Sequence, residues 1–171
     1  MSLAADKPVG NVTVSELADL AAINRVTFYK HYRDPAEALA DALATQLADA
    51  CDGVDRQGYD PFSECVRAVL DHLEKNRGLY TIAFNDHVDG TIPMMLSRHL
   101  NEIAFAYLTK RRKRKPSVPD VDLDVAAAYL ASGVTGAIRV WILEGDMSQE
   151  RFFENLPLLM PSWFYSEELS A

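Results

Sequence analysis

Apolar residues recur at three- and four-residue spacing along most of this chain, and Pro, Gly and Asp interrupt them. Alternating, strand-like runs are almost absent, so the pattern predicts an all-α protein. Thr13 and Glu16 make a T-x-x-E capping box that opens a helix to about Ala21. Asn24 suits the N-cap of the next, which runs to about Tyr32. Asp34-Pro35-Ala36-Glu37 then sets an N-cap, a proline at the first helical position and an acid at the third. That helix continues through Leu39, Leu43 and Leu47 to about Cys51. The polar, glycine-containing stretch from Asp52 to Asp60 marks a domain boundary, separating residues 1–52 from 53–171.

Beyond the boundary the same periodicity predicts five helices. One starts at Asp60-Pro61 with Phe62, Val66, Val69, Leu70 and Leu73 inward and ends between Asn76 and Gly78. A short one spans Leu79 to about His87, and a long one from about Ile92 ends in the basic run Lys110 to Lys115. Asp122 to Glu144 is the most apolar, and Ser148 to about Tyr165 is the last, interrupted by Pro157 and Pro161. The basic run reads as a helix C-terminus and solvated loop, where its charge suits the dipole, rather than as a nucleic-acid patch.

With 171 residues, 49% of them hydrophobic, the chain can bury a substantial core. Its net charge of −8 excludes a generally basic coat, so any nucleic-acid binding must come from a local patch. Acids outnumber bases in the first 45 residues, yet from Arg25 to Arg33 the only charges are Arg25, Lys30 and Arg33. Cys51 and Cys65 are too few for a disulfide scaffold and read as buried or half-buried thiols, which fits a cytoplasmic protein. Met1 to Gly10 lacks the apolar segment of a signal peptide. Val125 to Leu143 is nearly long enough to span a bilayer, but its Arg139, its small residues and its acidic flanks favour a buried helix. His72, His87 and His99 lack tight metal spacing, and there is no phosphate loop, nucleophile elbow or suitably placed carboxylate pair. The expectation is no cofactor, no metal and no enzyme activity.

The chemistry is concentrated in Thr13 to Leu39, TVSELADLAAINRVTFYKHYRDPAEAL. Two short helices joined by a tight turn hold the second across the first, freeing its polar face for the DNA major groove. Leu17, Leu20, Ile23, Phe28 and Tyr32 supply the apolar contacts, leaving Arg25, Thr27, Tyr29, Lys30 and His31 outward. The run ADLAAINRVTFYKHYRDPAEAL resembles the helix-turn-helix of the TetR family of bacterial regulators, whose signature here is A-x-x-x-G-[VI]-[ST]-x-[GSP]-T-[LF]-Y-x-[HY]-F; the match covers roughly Thr13 to Leu39, with Thr27-Phe28-Tyr29 and His31-Tyr32 in register. The short C-terminal part resembles the branch containing dihydroxyacetone-kinase operon regulators.

The resemblance implies that Tyr29 and His31 contact phosphates and that Thr13 caps its helix beside the DNA backbone. Arg25, Val26, Thr27 and Lys30 would lie near bases or flanking phosphates. The chain departs from the pattern at four places: Ala22 replaces the turn glycine, Val26 a small residue, and Pro35 a lysine. The fourth is the family's first helix, for which only Ser2 to Asn11 are available, with Pro8 and Gly10 among them, so that helix is expected to be truncated.

The resemblance further implies a homodimer on palindromic operator DNA, a repressor released by a small-molecule effector. The apolar helices support an interface independently, because one chain would struggle to cover both. Its expected residues are Tyr129, Gly133, Gly136, Val140, Trp141, Phe152, Leu156, Leu159 and Trp163. Candidates for an effector pocket are His72, Tyr80, Asn85, His99, Tyr107 and Arg139, the last because a guanidinium inside an apolar helix needs a partner. The alternative is a protein-binding co-regulator that keeps the helix-turn-helix as a scaffold.

Overall fold

The computed structural model describes residues 13–52, 61–85, 90–113 and 118–164. Among them the secondary structure is entirely helical: α1 (Val14–Leu20), α2 (Arg25–His31), α3 (Pro35–Asp52), α4 (Pro61–Lys75), α5 (Arg77–Asn85), α6 (Thr91–Arg111), α7 (Leu123–Glu144) and α8 (Gln149–Leu159). The expectation of a truncated helix over Ser2 to Asn11 lies outside the described residues, as does His87.

Side-chain caps set most of these starts. The Glu16 amide donates to Thr13 Oγ1 at 3.3 Å while the Thr13 amide donates to Glu16 Oε2 at 3.0 Å, a complete capping box. Asn24 accepts from the Thr27 amide at 2.8 Å, Asp34 from Glu37 at 2.9 Å, Asp122 from Val125 at 3.0 Å and Ser148 from Arg151 at 3.2 Å. Each satisfies an amide that the helix itself leaves without a partner. α7 ends at Gly145, whose φ of 73° is the left-handed stop that glycine accepts without steric cost. α8 stops at Leu159 rather than reaching Tyr165. Met160 precedes Pro161, whose ring disfavours the helical region for its neighbour, and Met160 is extended at φ −83°, ψ 151°.

A single apolar core unites α3 with the helices that follow. Ala36, Ala40, Leu43, Leu47 and Cys51 of α3 join Val66, Val69, Leu70 and Leu73 of α4, Tyr80 of α5, Leu96 and Leu108 of α6, and Ala127, Ala131 and Ile138 of α7. Complete burial of each leucine stabilises the fold by about 1.5–3 kcal/mol before entropy is counted. α3 packs on α4 and α6, α6 lies extensively along α7, and α1 packs chiefly on α2. After α8 the chain turns back and buries Phe164 completely. Its ring meets Phe62 at 4.7 Å and Tyr107 at 4.9 Å, and the Tyr107 hydroxyl donates to the Phe164 carbonyl at 2.9 Å.

The basic run is only partly a solvated face. Lys110, Arg112 and Lys113 are exposed, but Arg111 is buried. Helical phase explains the correction, because Arg111 extends the inward stripe of Leu100, Ala104 and Leu108. Arg112 donates to the Val121 carbonyl, tying the end of α6 to the approach to α7.

Candidate functional site

The turn between α1 and α2 positions the candidate reading helix. The Ala22 amide donates to Asp19 O at 3.2 Å and the Ile23 amide to Ala18 O at 2.9 Å, the two bonds of a Schellman termination. That motif puts Ala22 at φ 53°, the left-handed conformation that the family's glycine would adopt without strain. Phe28 is the buried anchor of α2, with its ring 5.6 Å from Tyr32. Burying Phe28 turns the rest of the helix outward. Arg25, Val26, Tyr29, Lys30 and His31 are exposed, Val26 at 69% and Tyr29 at 53%, while Thr27 is half-buried. No acid lies within α2, and Lys30 and His31 occupy its last turn.

Two contacts fasten this unit to α3. The Tyr32 hydroxyl donates to Asp41 Oδ2 at 2.8 Å, and that bond, with burial second, raises the hydroxyl's pKa. Arg33 pairs with Glu37 at 3.2 Å. The Arg33 amide, then its guanidinium, hold the Glu37 carboxyl below the usual carboxylate range. Thr13 is exposed, but its hydroxyl serves the capping box and also donates to Glu16 Oε2 at 3.0 Å. Neither the Tyr32–Asp41 bond nor the Arg33–Glu37 pair was anticipated, although the four-residue spacing of Arg33 and Glu37 is a helical signal.

The six candidate pocket residues are dispersed. His72 and Tyr80 are both buried and meet directly, His72 Nε2 lying 3.2 Å from the Tyr80 hydroxyl. Burial lowers the His72 pKa and raises that of Tyr80. His99 is half-buried beside Cys51, Tyr107 is committed to Phe164, and Asn85 is exposed. Arg139 is also exposed, which corrects the expectation of a guanidinium buried in an apolar helix. α7 turns Ala127, Ala131, Val134 and Ile138 to the core, and Arg139 falls on another side. A hollow of about 10 Å³, roughly the space of one water, lies among Phe62, Leu100, Ala104, Leu130, Ala131 and Val134. None of the six candidates lines it.

The candidate interface residues divide into two sets. Trp141, Phe152 and Leu156 are buried within the chain, which corrects their placement on an outward face. Trp141 stacks on Phe152 with centroids 5.2 Å apart, its indole donates to the Met147 carbonyl at 3.0 Å, and Arg77 donates to the Trp141 carbonyl at 2.7 Å. Trp163 is half-buried against the core. Tyr129, Gly133, Gly136 and Val140 form an exposed row on α7, and Leu159 is exposed at the end of α8. Val125, 68% exposed, lies on the same row of α7, and Leu158, 81% exposed, adjoins Leu159 at the end of α8. The three- and four-residue spacing from Val125 through Tyr129 and Gly136 to Val140 could have identified Val125 from sequence.

The family model TetR_C_8, described as a transcriptional regulator C-terminal region, matches residues 60–161, more than half of the chain. The chain belongs to the TetR family of transcriptional regulators. A solved TetR-family regulator from Syntrophomonas wolfei superposes on it with a TM-score of 0.65 and 18% identity, covering 92% of this chain and 86% of that one. The dihydroxyacetone kinase operon activator DhaS superposes with a TM-score of 0.61 and 16% identity, covering 92% and 85% respectively. At these identities the two neighbours speak to the fold of the TetR-family chain. No functionally curated protein matches it. α7 is long and apolar enough to cross a membrane by length and composition, but in this TetR-family fold it packs along α6.

Proposed function

We propose that this protein is a cytoplasmic TetR-family repressor that binds palindromic operator DNA as a homodimer and is released by a small-molecule effector. Residues 1–52 are the DNA-binding unit, and residues 53–171 carry dimerisation and effector binding. The observation that carries the reading is α2, a helix without acids, anchored by Phe28, that turns Arg25, Val26, Tyr29, Lys30 and His31 to solvent. Lys30, His31 and the Tyr29 hydroxyl suit phosphates, whereas Arg25, Val26 and Thr27 occupy the first turn, from which base edges are read. The exposed apolar surface of α7 and α8 supports pairing of two chains, which would present two reading helices to successive major grooves.

A mobility-shift titration on the promoter flanking the protein's own gene tests this. Specific retardation at moderate salt, lost on Lys30→Ala with Tyr29→Ala and accompanied by repression of a reporter, is the expected result. Absence of specific retardation by the full chain refutes it. The net charge of −8 and the engagement of Arg33 with Glu37 favour a second reading, a protein-binding co-regulator. Purification of a stable heteromer with little DNA affinity would establish that reading instead.

A further inference from the structure

We propose that Cys51, Cys65 and His99 form a two-thiol redox site in which a hydroperoxide joins Cys51 to Cys65, tying the end of α3 to α4. Both cysteines are thiols in this structure. Cys51 is buried in the last turn of α3, and its Sγ lies 3.8 Å from the backbone carbonyl of Cys65 in α4. The same Sγ lies 3.9 Å from His99 Nε2, on α6, so three helices converge on one sulfur. Cys65 is half-buried and so within reach of a small oxidant.

The roles follow from placement. A disulfide needs its Cβ atoms about 3.8 Å apart. Contact between the Cys51 sulfur and the Cys65 backbone makes the two residues neighbours where α3 packs on α4, so the bridge requires the Cys65 side chain to meet Cys51 across that packing. Burial lowers the His99 pKa, with Glu102 opposing and Arg98 adding to the shift, which favours the neutral imidazole; with its ring proton on Nδ1, Nε2 is the acceptor that faces the Cys51 sulfur. Cys65, reacting as its thiolate, attacks the terminal peroxide oxygen; the O–O bond breaks, alkoxide (hydroxide for hydrogen peroxide) leaves and takes up the proton that the Cys65 thiol gave up, and Cys65 becomes a sulfenic acid. Cys51 then passes its proton to His99 Nε2 and attacks the Cys65 sulfur. The S–S bond forms, the S–O bond breaks, and the departing hydroxide collects the proton from His99. Two thiols lose two electrons, and one hydroperoxide is reduced to water and its alcohol, or to two waters for hydrogen peroxide.

α3 also carries Asp41, the acceptor that holds Tyr32 at the end of the reading helix. Fixing the far end of α3 therefore changes how α2 is presented. That consequence rests on the proposed DNA binding, whereas the bridge itself does not.

The test exposes the full reduced chain to a modest excess of hydrogen peroxide, then blocks remaining thiols and maps the peptides by mass. The expected product is an intramolecular Cys51–Cys65 disulfide, lighter by two hydrogens, reversed by dithiothreitol and absent from Cys51→Ser and Cys65→Ser. His99→Gln should form it at least several-fold more slowly with an unchanged circular dichroism spectrum. Full alkylation of both thiols after peroxide, or only intermolecular bridges, overturns the site, and an unaltered rate in His99→Gln overturns the assignment of the base. Mobility shifts on the promoter should differ at least threefold between reduced and bridged protein. Equal affinities overturn the regulatory consequence, while no binding by either form, with the bridge mapped, overturns the proposed function and leaves the redox site standing.

Discussion

Replacing Ala22 with glycine should stabilise the turn that aims α2. Ala22 sits at φ 53°, where the methyl group of an L-residue crowds the backbone at a cost of about 1–2 kcal/mol. Glycine removes that strain but adds freedom to the unfolded chain, at about 0.4–1 kcal/mol. Ala22 is exposed, so no packing is lost, and the net gain is about 0.5–1 kcal/mol. Ala21 provides the control: it is the α1 C-cap at φ −82° and carries no such strain, so Ala21→Gly should destabilise by about 0.5–1 kcal/mol. Because α1 packs chiefly on α2, the assay should read local as well as global opening. Hydrogen exchange at the Ile23 amide, whose acceptor is Ala18 O, should slow about two- to fivefold in Ala22→Gly and quicken in Ala21→Gly. Loss of protection in both variants would refute the argument, since it would mean that the left-handed geometry carries no strain.

Four further outcomes follow from the same geometry. Lys30→Ala should weaken promoter binding across all sequences and reduce the salt dependence by about two counterions per dimer, read from titrations at several salt concentrations. In the single chain a Cβ at Gly136 meets open space, so Gly136→Leu should fold normally yet shift sedimentation to a monomer, as should Leu158→Glu. His72 and His99 have lowered pKa values in the fold, so the unfolded chain binds protons first; urea stability should be full above about pH 6.5 and fall below it as protonation of the unfolded state takes hold. His72→Gln should flatten that slope, and an unchanged slope would show that other groups govern it. Phe164→Ala should cost about 3–5 kcal/mol in urea unfolding, because the ring is fully buried between Phe62 and Tyr107.

Local chemistry was legible in the sequence and distant pairing was not. The caps at Thr13, Asn24 and Asp34 each act within three residues, so their spacing alone locates the helix starts. The outward set on α2 followed from the inward phase of Phe28, except that Thr27 is half-buried. α7 was harder, because a helix apolar nearly all round does not reveal which flank meets its own core. Trp141 therefore entered the expected interface although it stacks inside on Phe152, and Val125 was passed over although it is exposed. Arg111 and Arg139 reversed their expected environments for the same reason: charge predicts exposure less well than helical phase does. Contacts such as Arg77 with the Trp141 carbonyl, or His72 with Tyr80, join different helices, and no periodicity announces them.

α3 gives the molecule a mechanical advantage. Its 18 residues make a rod about 27 Å long. Cys51 seats one end among α4 and α6, while Asp41, nearer the other end, grips Tyr32. A tilt of about 5° around the seated end displaces the far tip by about 2 Å, comparable to the separation between a good hydrogen bond and none. Motions too small to open a cavity in the body can thus be magnified into a change of register at α2.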